Sequence, residues 1–502
     1  MSFKEITELR KSGKLEEALT LSNEELAKDP NNIWNKRAAS WVYYEYLKKY
    51  DKAETYDSFM EYLNKLKDLN LLEEDKMVFD QCAWKISSLI FDIVRDNPLD
   101  SSKLTEVFNI IKDFHFSKPS DSYSLLHKAF VKNHKNWSNY LSFADWWGFE
   151  NFRSEDFQKE EFNGKQIMSL AEKAYIAYSK KLLEGEAMDA FGNERKLDLD
   201  KIEAFIPELN SIIAKHQDYQ YPTYYRTQLL LVLGKKDKAL KSFLPFVKQK
   251  KNDFWVWQLL AEIFKDDKDL QLSCYCKALS LRTNEDFIVS LREDFADLLI
   301  ELKLFKEAKT EIKQAMATRL KHEWKMSHRL NQWSNEDWYK ETQENANNKE
   351  FYQKNLIKAE QILFQDIPEE IIVVEYVNQD KNILNFIKNK DKTGFFNYSG
   401  LNINPTIGNI LKVRFDQNSE GDFYRVLTAE IAENESSEAL RSYMGEIRLH
   451  EKGFGFADDV FFSKNFIDDN KIEHGQIIQG TAILSFNKSK EEWGWKALDL
   501  NK

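Results

Sequence analysis

Cysteine, proline and glycine are scarce in this chain: 3, 8 and 16 among 502 residues. Cys82, Cys274 and Cys276 make no paired framework, and the Cys-Tyr-Cys run suits a helix interior better than a metal site, so a reducing, cytoplasmic setting is expected. So few turn formers exclude a mostly β architecture, because strand-rich domains need Gly and Pro at their corners. No run of about eighteen apolar residues occurs, and the opening MSFKEITELRKSGKLEE has no apolar leader, which argues against membrane spanning and secretion. A net charge of −11 removes the global basic footprint of a duplex binder. There is no GxxxxGK[ST], HExxH, GxSxG or paired CxxC. His322-Glu323 with His328 comes nearest to a zinc box, but the two His are six apart where the motif needs four. No catalytic residue, metal ligand or cofactor is nominated, and the chain is read as a non-enzyme.

Aromatic residues, by contrast, are abundant, with 13 Trp, 21 Tyr and 35 Phe. From Ile6 to Pro30, two helical segments meet at Ser12-Gly13, with Ala18 allowing close approach and Pro30 stopping the second. The order of these features resembles a tetratricopeptide helix pair. The pattern returns between Tyr224 and Ala315, where Gly234 with Ala239 and Phe243, Tyr275 with Ala278, and Phe305 with Ala308, Ile312 and Ala315 mark successive hairpins. Such hairpins bury their apolar sides only on their neighbours and stack into a superhelix. Residues 220–320 read as the clearest array, and 50–220 as helical but irregular, with a polar loop at Gly185–Asp200. Nine aromatics between Trp137 and Phe162 are read as core, because large rings fill gaps where irregular helices meet. Arg319, His322, Lys325 and Arg329 fall at helical spacing and form a candidate phosphate-facing stripe, although a solvated face is the plainer reading. Gln343 to Phe364 reads as one more amphipathic helix.

Pro368 marks a change of period from helical to two. IIVVEYV, ILNFI, TGFFNYS, ILKVRF and FYRVLTAEI read as five strands, enough for a small barrel. Lys388, Lys390 and Lys392 precede Thr393-Gly394-Phe395-Phe396 and are candidate phosphate contacts. The expected fold is a helical-repeat region over 1–365, a divergent barrel over 370–434, a linker at Asn434–Ser442 and a second barrel over 442–502.

The stretch Gly445 to Phe466, GEIRLHEKGFGFADDVFFSKNF, is where the chain states a chemistry. Phe454 and Phe456 alternate in a strand and share a face, and glycine between them leaves that face open; Phe461 on the next strand extends it. Rings at that spacing offer platforms to unpaired bases. Lys452-Gly453-Phe454-Gly455-Phe456 and Asp459-Val460-Phe461-Phe462-Ser463 resemble the two ribonucleoprotein motifs of the cold-shock domain, a five-stranded OB-type barrel. Gly445 to His450 stands for that family's opening GxVKWF strand, and Glu473-His474-Gly475-Gln476 for its EGQ turn. Leu449 stands where the family has a stacking Trp, and Ser463 where it has a His.

The resemblance implies binding of single-stranded RNA or DNA on Phe454, Phe456 and Phe461, with Arg448 and Lys452 near phosphates. Carboxylates slightly outnumber cations from Gly445 onward, so binding should lean on stacking plus a few local charges. The chain is read as a non-enzymatic adaptor whose repeats dock a protein partner; helical repeats followed by two such barrels are similar to proteins of prokaryotic TOTE-type conflict systems, which implies a role in bacterial defence beside separately encoded nucleases or helicases. A scaffold whose barrels bind protein instead, and a divergent nuclease built from distant carboxylates, are the alternative readings.

Overall fold

The computed structural model describes residues 2–96, 101–187, 195–401, 403–416, 421–432, 434–487 and 490–500. It divides into two compact units, Met1–Phe246 and Val247–Lys502, so the division falls inside the expected repeat array. No helix among the described residues is long and apolar enough to cross a membrane.

In the first unit Gly13 takes a positive φ of 82°, which ends the helix Ser2–Lys11 and turns the chain into Leu15–Lys28. Asn32 then caps Ile33–Lys49 by accepting from the amides of Trp34 and Asn35. Alternate helices Ser2–Lys11, Ile33–Lys49, Lys76–Asp96 and Asp121–Val131 pack on one another, as stacked hairpins do. Eight of the nine aromatics between Trp137 and Phe162 lie in the core or pack against it, as expected; the Phe162 side chain lies outside the described residues. Trp137, Tyr140, Phe143 and Trp147 are fully buried, and the Trp147 ring lies 4.9 Å from Tyr123 and nearly parallel to it. His127 sits in this cluster, fully buried, 4.6 Å from the Trp147 ring, with neither ring nitrogen hydrogen-bonded among the described residues. Burial pushes its pKa down to about 3, so it is a neutral imidazole used as an aromatic filler. Of the expected loop at Gly185–Asp200, residues 188–194 lie outside the described residues; Glu186–Ala187 and Arg195–Lys196 on either side pair as a short antiparallel ladder.

The second unit continues with the hairpins Phe254–Ile263/Lys268–Ser280 and Val289–Glu301/Phe305–Lys321. Cys274 and Cys276 are buried in the helix Lys268–Ser280, and no metal-holding cluster of His, Cys, Asp or Glu occurs among the described residues. Two helices, Lys349–Asn355 and Ile357–Ile362, replace the single one expected over Gln343–Phe364. The Ala359 amide donates to the Ser273 hydroxyl at 2.8 Å, which directs the second of them onto Lys268–Ser280. The first is held by a buried network in which Arg292 meets Glu311 and Tyr352 donates to Glu311, with the exposed Glu285 closing on the outer side of Arg292.

The strands that follow form two barrels. In the first, β1 (Glu370–Asn378), β2 (Ile383–Ile387), β3 (Thr393–Asn397), β4 (Ile410–Phe415) and β5 (Val426–Ile431) pair antiparallel in the order β3-β2-β1-β4-β5. A bridge between Phe395 and Phe423 joins β3 to the chain entering β5 and closes the barrel. Alternation turns Ile372, Val374, Leu384, Phe386, Phe396, Leu411 and Val413 inward.

The second barrel comprises β6 (Leu440–Glu446), β7 (Arg448–Leu449), β8 (Gly455–Ala457), β9 (Val460–Phe462), β10 (Ile477–Asn487) and β11 (Glu492–Ala497), in the order β6-β10-β11-β9-β8-β7. The two ends of that order, β6 and β7, are halves of one strand interrupted at the buried Ile447, so the sheet closes on itself. β6 begins at Leu440, inside the segment expected to be linker up to Ser442. The reason is Ala439, fully buried with Ile483 and Leu484 against Val373 and Ile387 of the first barrel. That cluster, with the Ser485 hydroxyl donating to Glu375 at 3.3 Å, joins the barrels through packed side chains.

Candidate nucleic-acid interface

Register decides what the second barrel shows to solvent. Ala457, Val460, Phe462 and Ala497 alternate into its core, which sends Phe456, Phe461 and Lys496 outward. Arg448 pairs with Phe456, Phe456 with Phe461, and Phe461 with Lys496. One row across four strands therefore reads Arg448, Phe456, Phe461, Lys496: two rings between two cations. Phe454 adds a third ring, 5.9 Å from Phe456 and 6.0 Å from Phe461. The expected grouping of Phe454, Phe456 and Phe461 is thus found, but it is not one flat platform. Phe454 and Phe456 stand at 89°, and Phe456 and Phe461 at 58°, so the surface is faceted and offers each ring singly.

The glycines act otherwise than expected. Gly455 is buried on the inward side, where a Cβ would lie 2.9 Å from Leu449 Cδ2 and 3.0 Å from the Arg448 carbonyl oxygen. It is required by the close approach of β7 and does not open the outer face. Leu449 packs toward the core, and the ring beside Phe454 comes from His450, stacked on it at 4.5 Å and 8°. Ser463 accepts from the Phe466 amide and caps the helix Lys464–Asn470, which explains why a ring is missing there.

Beside this row lies a groove of about 370 Å³, lined by Phe456, Phe461, Lys490, Trp493, Trp495 and Lys496. A Cβ on Gly494 would meet nothing within 4 Å, so the groove floor there is bare backbone. Arg441 covers one side of Trp495 at 4.4 Å and pairs with Asp459. Arg448, Lys452, Lys490 and Lys496 are exposed and form no ion pair among the described residues. Lys496 and the groove tryptophans escaped the motif-based reading. The alternation Glu-Trp-Gly-Trp-Lys in the last strand was the available signal.

Other expected phosphate contacts are differently placed. Lys388 and Lys392 both reach Glu370, at 3.0 and 2.7 Å, and Lys392 also lies 4.6 Å above the Phe415 ring. Burial raises the Glu370 pKa, but hydrogen bonds from Lys392 and Lys388 outweigh it and hold the carboxyl below its ordinary value. Those two lysines are structural; Lys390 alone of the three is exposed without an ion pair among the described residues. The stripe is broken up as well: the helix Phe305–Lys321 ends before His322 and the next begins at His328, Arg319 binds Glu293 at 2.7 Å and Arg329 binds Asp294 at 2.8 Å, His322 Nε2 lies 2.8 Å from Asp286, and Lys325 alone is exposed without an ion pair among the described residues. Phe395 and Tyr398 do not share a face, since Tyr398 packs against the barrel core.

These features define a chain of helical hairpins ending in two S1/CSD-like barrels. Residues 364–427 match the model of S1/CSD-like domain 1 of the TOTE conflict systems, and 441–500 match that of S1/CSD-like domain 2. Residues 220–359 match a domain of unknown function, DUF7017. Among solved structures, the TPR domain of P58(IPK) is similar at 14% identity over 73% of this chain and 98% of that one, with a TM-score of 0.20. The hairpins described above, and not that likeness, carry the repeat assignment. No curated protein matches the sequence.

Proposed function

We propose that this chain is a non-enzymatic, cytoplasmic adaptor that binds single-stranded nucleic acid on its second barrel and docks a protein partner through its helical hairpins, in a bacterial conflict system. The observation that carries this reading is the row Arg448, Phe456, Phe461, Lys496. Rings accept the faces of unpaired bases, and cations at either end suit the phosphates of a strand crossing the sheet. Few phosphate contacts imply modest affinity and a shallow salt dependence. The similarity of both barrels to S1/CSD-like domains supports the same reading.

The test is fluorescence anisotropy of the full chain at low salt with labelled oligo(dT) and oligo(U). Binding is expected, and Phe456→Ala with Phe461→Ala should weaken it roughly a hundredfold, since stacking is typically worth about 1 to 3 kcal/mol per base. Absence of binding by the wild type overturns the proposal. That result would favour the second reading, a protein-interaction surface, which the steep angles between the rings and the capping role of Ser463 support. Metal-dependent cleavage of either probe would identify a nuclease instead.

A further inference from the structure

The first barrel carries an outward row of its own. Register pairs Tyr376 on β1 with Asn385 on β2, and Asn385 with Phe395 on β3; the closing bridge extends the row to Phe423. Tyr376 is 54% exposed and Phe423 43% exposed, and the rings of Phe395 and Phe423 lie 5.6 Å apart at 60°. None of the three rings belongs to the barrel core, which Phe386, Phe396 and Phe415 fill. Scattered exposed apolar residues need no explanation, but three rings in one cross-strand row, with an amide among them, make a patch. Lys390 is exposed on the turn before β3 without an ion pair among the described residues, and Arg425, two residues after Phe423, keeps a side chain 73% exposed although its Nε lies 3.8 Å from Asp416.

The position of this row relative to the second barrel gives it meaning. On the second barrel the row through Phe456, Phe461 and Lys496 continues by register to Ile483, which is buried against Val373 and Ile387 of the first barrel. Ser485, which lines the groove, donates to Glu375, the residue immediately before Tyr376. Both outward faces thus run up to one packed junction. We propose that Tyr376, Asn385, Phe395 and Phe423 form a second base-stacking subsite, so that one single strand lies across both barrels. The inference rests on the reading of the second barrel given above. Rings receive base faces, the Asn385 amide can donate to and accept from a base edge, and Lys390 is the unpaired cation available to the strand's phosphates.

Strand length separates the two ideas. A barrel of this type covers about 4 to 16 nucleotides, so a probe of about 5 is held by one barrel, whereas one of about 25 exceeds what a single barrel covers. In anisotropy titrations of the full chain with fluorescein-labelled oligo(dT) and oligo(U), Tyr376→Ala with Phe423→Ala should weaken the longer probe about tenfold or more. The shorter probe should change by less than about twofold, because the second barrel holds it alone. Tyr376→Phe should retain wild-type affinity, since the ring and not the hydroxyl is used. Thermal melting by circular dichroism checks folding, and the single Tyr376→Ala, at the most exposed ring, serves if the double variant melts early. Unchanged affinity for the longer probe, alongside a loss with Phe456→Ala and Phe461→Ala, overturns this inference and leaves the proposed function standing. Failure of the wild type to bind either probe overturns both.

Discussion

The two barrels are built alike inside and differ outside. Both close a small sheet over aliphatic and phenylalanine cores, the second with one parallel pair, β9 with β11, and both present a cross-strand row of rings. The second leaves Arg448 and Lys496 in solvent at the ends of its row, whereas the first holds Lys388 and Lys392 on Glu370. The second floors its groove with Gly494, beside which a side chain would meet nothing within 4 Å; the first passes chain over Gly394, where a Cβ would lie 2.6 Å from the Asp422 carbonyl oxygen. The difference teaches that a cation counts toward binding only when no nearby carboxylate has already claimed it.

Reversing charge should break the comparison most forcefully. Arg448→Glu with Lys496→Glu is expected to lower single-strand affinity roughly a hundredfold at about 50 mM salt, while Lys388→Ala with Lys392→Ala changes it by less than about twofold. Equal losses in the two pairs, read by anisotropy, would erase the distinction drawn between the barrels. Next in size, Gly394→Ala should destabilise the chain by about 1 to 3 kcal/mol in urea unfolding, because the backbone over it cannot yield cheaply. Smaller and more informative is Glu370→Gln, which frees two lysines beside the first barrel. Its salt slope should steepen by up to about 1.4, at about 0.7 per phosphate contacted by a single strand. It should also cost about 1 kcal/mol of stability at neutral pH. Because the Glu370 pKa is depressed, that contribution is complete above the ordinary carboxyl value of 4.5 and disappears as pH falls through the lowered one. Urea midpoints of wild type and variant should therefore converge on acidification.

Much of this was legible in the amino-acid order, where local patterns suffice. The switch at Pro368 from helical to alternating periodicity marks the barrels, and KGFGF with DVFFS picks out Phe454, Phe456 and Phe461. The rest was hidden because it depends on partners distant in sequence. The pairing of Phe395 with Phe423 reaches past the whole of β4, so no local spacing shows it. Arg319, His322, Lys325 and Arg329 have the spacing of a stripe, but the helix ends at Lys321, and Glu293 and Asp294 on a neighbouring helix take up the two arginines. Gly455 looked like an opening in the face, and only the approach of Leu449 gives its purpose.

The bare strand at Gly494 is also a handle. Cys82, Cys274 and Cys276 are all buried, and burial pushes each thiol well above the range in which it reacts at neutral pH. A Gly494→Cys variant would therefore offer maleimide dyes a single accessible sulfur, set between the rings and the lysine that close the groove. An environment-sensitive fluorophore attached there would report occupancy of the groove in the intact chain, whatever molecule enters it.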